Sequence, residues 1–234
     1  MKTKIALISL IFFATSIAAR CDQTKTDVTE RLQDSAKVLN ELTAAPDNGI
    51  PDKVFHSAKC VAVLPSMIKG AFIFGGKHGR GVATCRLPNG HWSAPAFFEI
   101  TGGSWGAQIG VEDIQLVIMA MTEEGMRRLM EDKFQIGAGA SAAAGPVGRE
   151  ASASTTWKVD TDFLTYSRAK GVFAGIDLSG SWISRDKEST TAMYGSDLGN
   201  RTLLDGKTPP PPDAHVFLAA VRDAEMHRRE SAQK

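Results

Sequence analysis

One five-residue pattern in the chain matches a catalytic motif. Gly102-Gly103-Ser104-Trp105-Gly106 fits G-x-S-x-G, the nucleophile elbow, in which the serine lies at a sharp turn between a strand and a helix. Residues 108–121 follow it and are apolar and β-branched, so they predict a strand where the motif needs a helix. A serine hydrolase that uses Ser104, with an Asp and either His215 or His227 as partners, is therefore the third of three functional hypotheses.

Other catalytic and cofactor motifs are incomplete. Gly206-Lys207-Thr208 resembles the end of a phosphate-binding loop, but Arg201 stands where the leading glycine belongs and no strand precedes it. No Cys-x-x-Cys pair occurs. The five histidines are scattered along the chain at His56, His78, His91, His215 and His227. The sequence therefore predicts no metal, no cofactor and no enzyme.

Two features have the residue types that bind lipid. Basic turns beside apolar side chains contact phosphate head groups and acyl chains together. The first feature is a glycine-rich stretch whose candidate residues are Lys69, Phe72, Phe74, Lys77, His78, Arg80 and Arg86. The second is an amphipathic helix that carries Leu32 and Leu39 on its apolar side. For both features the alternative is an ordinary structural role, a solvated surface or a helix packed on its own domain.

The first 20 residues predict a secretory signal peptide. Lys2 and Lys4 precede an apolar run over residues 5–17, and small residues follow at positions 16, 18 and 19. The run is shorter than the roughly 20 residues that span a bilayer. We therefore expect a signal peptide over residues 1–20, a single domain over residues 21–234, and an exported protein of the periplasm or outer envelope. A retained N-terminal anchor is the alternative.

The three cysteines leave two questions open. Cleavage before Cys21 would produce a lipoprotein anchored in a membrane, although Arg20 is a poor residue for that cleavage site. The competing cuts fall before Arg20 or one residue earlier. Cys60 and Cys85 form a disulfide only if their strands are neighbours, which their types and the expected oxidising compartment permit.

Charge argues against a nucleic-acid partner. Removing residues 1–20 lowers the Lys+Arg count from 27 to 24, against 26 Asp+Glu, so the remaining chain is slightly acidic. Nucleic-acid-binding domains carry a strong positive footprint instead. Attraction to anionic lipid must therefore come from a local patch.

Helices are predicted near both ends of the domain and in its middle. Val28, Leu32, Ala36, Leu39 and Leu42 recur at helical spacing within a predicted helix over residues 24–44. Further helices are expected over residues 51–58, 123–133, 186–193 and 214–228, the first of these ranges beginning at Pro51.

Strands fill the rest of the pattern. They are expected over residues 60–64, 71–74, 81–86, 92–100, 108–121, 163–168 and 171–183, with residues 75–80 as a hairpin connection. Phe134 to Trp157 is built from small residues and is read as two close-packed strands, with a flexible linker as the alternative. This order predicts an α+β fold with a mainly antiparallel, curved or barrel-like sheet and N-terminal, central and C-terminal helices.

The chain also resembles the SYLF domain family, from about residue 31 to residue 224. The motifs that carry the resemblance are residues 58–65, the glycine-rich residues 75–82, Trp92-Ser93-Ala94-Pro95, residues 102–110, Ala144-Gly145-Pro146-Val147-Gly148-Arg149, Tyr166-Ser167-Arg168, Gly171-Val172-Phe173-Ala174-Gly175 and Tyr194-Gly195. In that family residues 102–110 are a structural motif and not a nucleophile elbow.

The resemblance implies non-catalytic phospholipid binding, with actin binding for yeast members. An exported chain meets no actin in its own cell, so we expect a membrane surface as its partner and not actin. The preferred hypothesis is a phospholipid-binding protein of the cell envelope. An envelope structural or protein-interaction module, with Phe134–Trp157 as its interface, is the second hypothesis.

Overall fold

The helix predicted at the start of the domain is present as α1, which covers residues 24–44. The computed structural model describes residues 24–45, 49–72, 74–105, 110–138, 140–146, 161–169, 172–173 and 176–231. Five further helices follow in these ranges: α2 Asp52–Ser57, α3 Glu123–Leu129, α4 Lys187–Tyr194, α5 Asn200–Leu204 and α6 His215–Ser231. The proposed signal peptide and Cys21 lie outside the described residues.

The strands form one curled, mixed sheet, as the α+β prediction required. They are β1 Cys60–Phe72, β2 Phe74–Cys85, β3 Ala96–Trp105, β4 Gly110–Ala120, β5 Lys133–Gln135, β6 Ala142–Ala144, β7 Phe163–Ala169, β8 Val172–Phe173 and β9 Trp182–Arg185. Their order is β5-β9-β3-β2-β1-β4-β7-β6, with β8 paired to β7. All pairs are antiparallel except β6 with β7, so the predicted mainly antiparallel sheet is confirmed.

The glycine-rich stretch is not the predicted hairpin connection. Residues 75–80 lie inside β2 and pair on one side with β1 and on the other with β3. Close packing requires two of the β2 glycines: a Cβ at Gly79 would lie 2.9 Å from the carbonyl oxygen of Ser66, and a Cβ at Gly81 2.6 Å from that of Val63. The expected short strands over 60–64 and 71–74 are replaced by one long strand, β1, which ends at Phe72, and Phe74 begins β2.

Three other boundaries differ from the sequence prediction. The helix expected to reach residue 133 ends at Leu129, because Lys133–Gln135 instead pairs with β9 at the edge of the sheet. Trp92 only bridges to Arg86, and β3 begins at Ala96. Among the described residues of the expected strand over 171–183, Val172–Phe173 and Trp182 onward are paired, in two separate strands.

Part of the segment from Phe134 to Trp157 is also described. Its small residues at Ala142–Ala144 form β6, which pairs with β7. Residues 147–157 lie outside the described part of the chain, so the choice between strands and a linker there stays a prediction.

A β-bulge in β1 divides the sheet into two halves. The register with β2 shifts between Val63 and Ser66, and the register with β4 shifts between Leu64 and Met67. Pro65 lies in this interval, where a bulge tolerates its missing N–H. We call the part of the sheet on the Cys60 side of the bulge the sheet base. The sheet tip is the part beyond it, at residues 66–72, 74–80, 99–105 and 110–115, together with Trp182 of β9, which pairs with Thr101.

The sheet base is covered on both faces. On one face, Val61, Val63 and Val82 pack with α1, α2 and α6 in a buried apolar cluster. On the other, Cys60, Ala62 and Leu64 pack with side chains from α3, α5 and the β5 and β9 edge. Cys60 and Cys85 face each other across β1 and β2 and form a disulfide in this second cluster. The base is therefore the closed core that holds the sheet tip in place.

Candidate functional site

The sheet tip presents a row of directly opposed residues on one face, which we call the open face. Across β4, β1, β2, β3 and β9 the ladder aligns Asp113, Ile68, His78, Thr101 and Trp182. Directly paired residues of antiparallel strands share a face. This is the face that α1 and α6 cover at the base, so the helices stop short of it at the tip.

A second row lies further out on the open face and is almost bare. Val111, Gly70, Gly76 and Gly103 oppose one another in the ladder. The Cγ2 atom of Val111 lies 4.0 Å from the position that a Cβ atom at Gly70 would occupy. Beyond this row, the backbone pairing continues from Phe72 to Phe74 and from Phe74 to Trp105.

Apolar exposure is concentrated on this face. Ile68 is 45% exposed, Val111 75% and Trp182 40%. Among the described residues the other large apolar side chains that stand in solvent are Val216 and Met226, both on α6. Val111 lies beside Ile68 on the adjacent strand, and Trp182 lies three strands away in the row of Ile68. Exposed apolar side chains grouped on one face mark a candidate interaction surface. The open face is therefore the candidate site.

Cations border the open face without dominating it. The Lys133 ammonium lies 4.7 Å from the centre of the Trp182 ring, a cation–π distance. His78 is exposed in the row itself. Asp113, which accepts a hydrogen bond from Ser66, adds a negative charge to the same face. The site thus combines apolar and aromatic groups with a nearly balanced charge.

The predicted basic residues do not form one surface. Lys69 and Lys77 oppose each other in the ladder but alternate onto the face away from Ile68 and His78. Lys77 is only 7% exposed, and its ammonium donates a 2.7 Å hydrogen bond to the backbone carbonyl of Asp177. Burial lowers the pKa of Lys77, the charge of Asp177 opposes that shift, and the charge of Lys69 adds to it.

Arg80 is engaged in an ion-pair network. Its guanidinium lies 3.7 Å from the Asp186 carboxylate and 3.6 Å from that of Glu188. Asp186 is buried, and it also accepts a 3.2 Å hydrogen bond from Arg31 of α1. Burial alone would raise the pKa of Asp186. Hydrogen bonds from Ser189 and the charges of Arg31 and Arg80 outweigh it and hold that pKa below its ordinary value. This network fastens α1 and α4 to β2.

The remaining lipid-site predictions fall in other parts of the fold. Leu32 and Leu39 are fully buried between α1 and the sheet base. Arg86 lies at the opposite end of β2 from the tip, where it pairs with Glu225 of α6 at 2.5 Å. The structure thus groups His78 and Arg80 on the open face and separates Lys69, Lys77, Arg86 and the two leucines from it. Phe72 and Phe74 are paired backbone neighbours at the outer end of β1 and β2.

The surroundings of Ser104 differ from a nucleophile elbow. Ser104 is a ladder residue of β3 that pairs with Gly75. The next described element is β4, a strand, where the elbow requires a helix. The geometry gives the serine-hydrolase hypothesis no support.

The described ranges contain neither a metal-ligand cluster nor a membrane-spanning helix. No group of three or more His, Cys, Asp or Glu side chains there comes together as a metal site would. None of the helices in those ranges combines the length and the hydropathy needed to cross a membrane.

Ile68, Val111 and Trp182 were missed by sequence reasoning. Each looks like an ordinary strand residue in the sequence. The bulge shifts the alternation of β1 by one residue and so turns Ile68 to the open face. The limited reach of the helical layer leaves all three side chains exposed. A proline inside an apolar strand was the one available sign of the bulge.

Comparisons with known proteins identify the family. The family model described as "Las17-binding protein actin regulator", Ysc84, matches residues 101–224. Protein YSC84 of Saccharomyces cerevisiae is 35% identical over 193 residues, which cover 79% of this chain and 41% of the yeast protein. The human SH3 domain-containing YSC84-like protein 1 is 33% identical over 186 residues, 77% of this chain and 54% of its own length.

A third relative agrees. LAS seventeen-binding protein 3 of Saccharomyces cerevisiae is 34% identical over 206 residues, covering 84% of this chain and 44% of the yeast protein. The chain spans about half the length of these relatives. The resemblance seen in the sequence is confirmed: the chain belongs to the Ysc84 family, the family of the SYLF domain.

Proposed function

We propose that this chain is a non-catalytic, phospholipid-binding protein that attaches to a membrane surface through the open face of the sheet tip. The observation that carries the proposal is the exposure of Ile68, Val111 and Trp182 together on one uncovered face. Tryptophan with neighbouring aliphatic groups suits the boundary between head groups and acyl chains. Lys133, which stacks on Trp182, is placed to reach phosphate groups.

Apolar contact should contribute more than charge to this attachment. Lys77 is buried, Arg80 is paired with Asp186 and Glu188, and Asp113 lies in the same row as Ile68. Little net positive charge is therefore free to attract anionic lipid. Full burial of one aliphatic side chain contributes roughly 1.5–3 kcal/mol. We expect binding that changes little with salt, since screening acts on exposed charges.

Vesicle sedimentation tests the proposal. The chain would be mixed with vesicles of phosphatidylcholine, with and without phosphatidylglycerol, and the bound fraction measured against lipid concentration. Ile68→Asp and Val111→Asp should each weaken partitioning by about tenfold, because a loss of about 1.4 kcal/mol corresponds to a factor of ten.

The matched control is Val216→Asp on α6. Val216 is exposed to a similar extent, 42% against 45% for Ile68, but lies outside the tip. Its substitution should leave partitioning unchanged. Absence of binding to both kinds of vesicle would contradict the proposal and favour a protein-interaction module. Equal loss in all three variants would also contradict it, since the tip would then have no special role.

We also propose that the chain is exported and functions at the cell envelope. The support is the pattern of Lys2 and Lys4 followed by an apolar run and small residues. The family description names Las17 binding and actin regulation, and these cytoskeletal partners are not proposed for an exported chain.

Mass spectrometry of the mature N-terminus tests export. A free amine at Ala19 or Arg20 would support cleavage by a signal peptidase. A diacylglycerol-modified Cys21 would support export with a lipid anchor, which would hold the domain at the bilayer. An intact N-terminus at Met1 would contradict cleavage and favour the retained anchor.

A further inference from the structure

A cavity lies at the end of the molecule opposite the sheet tip. It is bounded by the connection between β2 and β3, the segment before α6, and α6 itself. Its volume is about 710 Å³, within the range of roughly 300–1,000 Å³ that small-molecule sites occupy. None of its lining residues belongs to the open face, so a ligand here would bind independently of the proposed membrane contact.

One side of the cavity is apolar. The lining side chains of this kind are Leu87, Trp92, Pro209, Pro210, Leu218 and Met226. Met226 is 52% exposed, an unusual state for a large apolar residue in the middle of a helix. A saturated chain that entered here would be stabilised in proportion to the number of methylenes it buried.

The negative charge of Glu225, the acidic residue of the cavity, is balanced by an ion pair with Arg86. Glu225 accepts a 2.5 Å hydrogen bond from Arg86 and a 3.1 Å hydrogen bond from the Trp92 indole. Burial alone would raise the pKa of Glu225, but these two donors and the charge of Arg86 outweigh it and lower that pKa. Arg86 also lies 4.6 Å from the centre of the Trp92 ring. Glu225 thus fixes the cavity wall and does not repel an anion.

Basic groups remain available at the same cavity. Arg222 lines it and is exposed. In the described part of the chain Arg222 forms no ion pair within 4.0 Å. The imidazoles of His56 and His91 line the cavity as well. Arginine forms paired hydrogen bonds with carboxylate and phosphate groups. An apolar wall beside an arginine that has no ion-pair partner among the described residues is complementary to a ligand with an anionic head and an apolar chain.

We infer that this cavity binds one molecule of a single-chain anionic amphiphile. The chain lies against Trp92, Leu218 and Met226, and the carboxylate or phosphate head lies at Arg222 with the two imidazoles nearby. This site goes beyond surface attachment, because it takes one lipid-like molecule out of water or out of a bilayer and does not contact a membrane plane.

Calorimetric titration with dodecyl phosphate, below its critical micelle concentration, tests the inference. We expect binding of one molecule per chain. Inorganic phosphate and dodecyl maltoside should bind at least tenfold more weakly, because the first lacks the apolar chain and the second lacks the charge. Equal binding of inorganic phosphate would reduce the site to an anion site, and equal binding of dodecyl maltoside would reduce it to an apolar groove. Either result would overturn the proposal.

Variants locate the site. Arg222→Glu and Met226→Glu alter exposed side chains and should each weaken dodecyl phosphate binding at least tenfold. Arg201→Glu makes the same charge change as Arg222→Glu, at an exposed position of α5 outside the cavity, and should change binding less than twofold. Binding that survives both cavity substitutions would overturn the assignment.

A nuclear magnetic resonance titration of the indole N–H groups supplies a second readout. Dodecyl phosphate should shift the resonance of Trp92 and leave that of Trp182 unchanged. The variant Val111→Asp should bind dodecyl phosphate normally, even if it loses vesicle binding, so this inference and the proposed membrane contact can fail separately. A shift of Trp182 alone would place the amphiphile at the sheet tip and overturn the cavity site.

Discussion

The two halves of one strand, β1, have opposite environments. Before the bulge, Val61 and Val63 are fully buried beneath α1 and α6. After it, Ile68 faces the same side of the sheet but stands in solvent. Similar aliphatic side chains are thus buried in the core at the sheet base and exposed on the surface at the sheet tip. The extent of the helical layer, and not the residue type, decides which strand residues are available for binding.

The largest expected difference between the halves is in stability. Leu39→Ala removes a fully buried side chain that packs α1 on the sheet base. It should lower the free energy of unfolding by about 2–5 kcal/mol, from lost burial and the cavity left behind. Ile68→Ala deletes a similar volume at the tip and should cost much less. Urea unfolding measures both, and equal losses would contradict the division into base and tip.

Reduction of the Cys60–Cys85 disulfide should have the next largest effect. The bond joins the sheet base across a sequence separation of 25 residues. A loop of this length predicts a loss of about 3 kcal/mol, chiefly because the unfolded chain gains freedom. Unfolding with and without dithiothreitol measures the loss. Vesicle binding of the folded, reduced chain should be unchanged, and its disappearance would show that the tip depends on the bond.

The buried Asp186 carboxylate should contribute less to stability than the disulfide. Asp186→Asn should lower the free energy of unfolding by about 2 kcal/mol at neutral pH, a value typical of hydrogen bonds to a charged group. Because the pKa of Asp186 is lowered in the fold, its stabilising contribution is complete above its unfolded pKa, near 3.8. The contribution is lost as pH falls through the folded pKa. The difference in the free energy of unfolding between the wild type and Asp186→Asn should therefore be constant between about pH 5 and 8. It should become smaller below pH 3.8. A difference that persists in acid would contradict this account.

Val111→Ala should have the smallest effect on stability, within about 0.5 kcal/mol, as is usual for exposed positions. The same substitution should still reduce vesicle partitioning, because it removes the most exposed of the apolar side chains on the open face. A large loss of stability would show that Val111 supports the fold and would remove it from the candidate site.

Much of the fold could be predicted from the sequence because local patterns determine it. The apolar spacing of Val28, Leu32 and Leu39 is sufficient to place α1. The α+β class follows from the order of helical and strand patterns. The glycines of β2 were misread because a turn and a close contact between strands favour the same residue. Only the three-dimensional packing of Gly79 on Ser66 and Met67 distinguishes the two.

The candidate sites were less predictable because they depend on contacts between distant segments. His78 and Arg80 were identified, but the alternation of β2 places Lys77 on the opposite face. The cavity brings together His91, Pro209 and Arg222, which are far apart in sequence and match no motif. Membership of the family was visible from the motifs. The position of a binding surface required the fold.

The most direct test of the account is the environment of position 111 on a membrane. A nitroxide label would be attached to Val111→Cys, and separately to Val216→Cys, in a Cys21→Ser background. Electron paramagnetic resonance would then measure accessibility to oxygen and to a water-soluble nickel complex. The account predicts that vesicles raise oxygen accessibility and lower nickel accessibility at position 111, with no change at position 216. An unchanged label at position 111, or a membrane environment at position 216 alone, would contradict the assignment of the open face as the membrane contact.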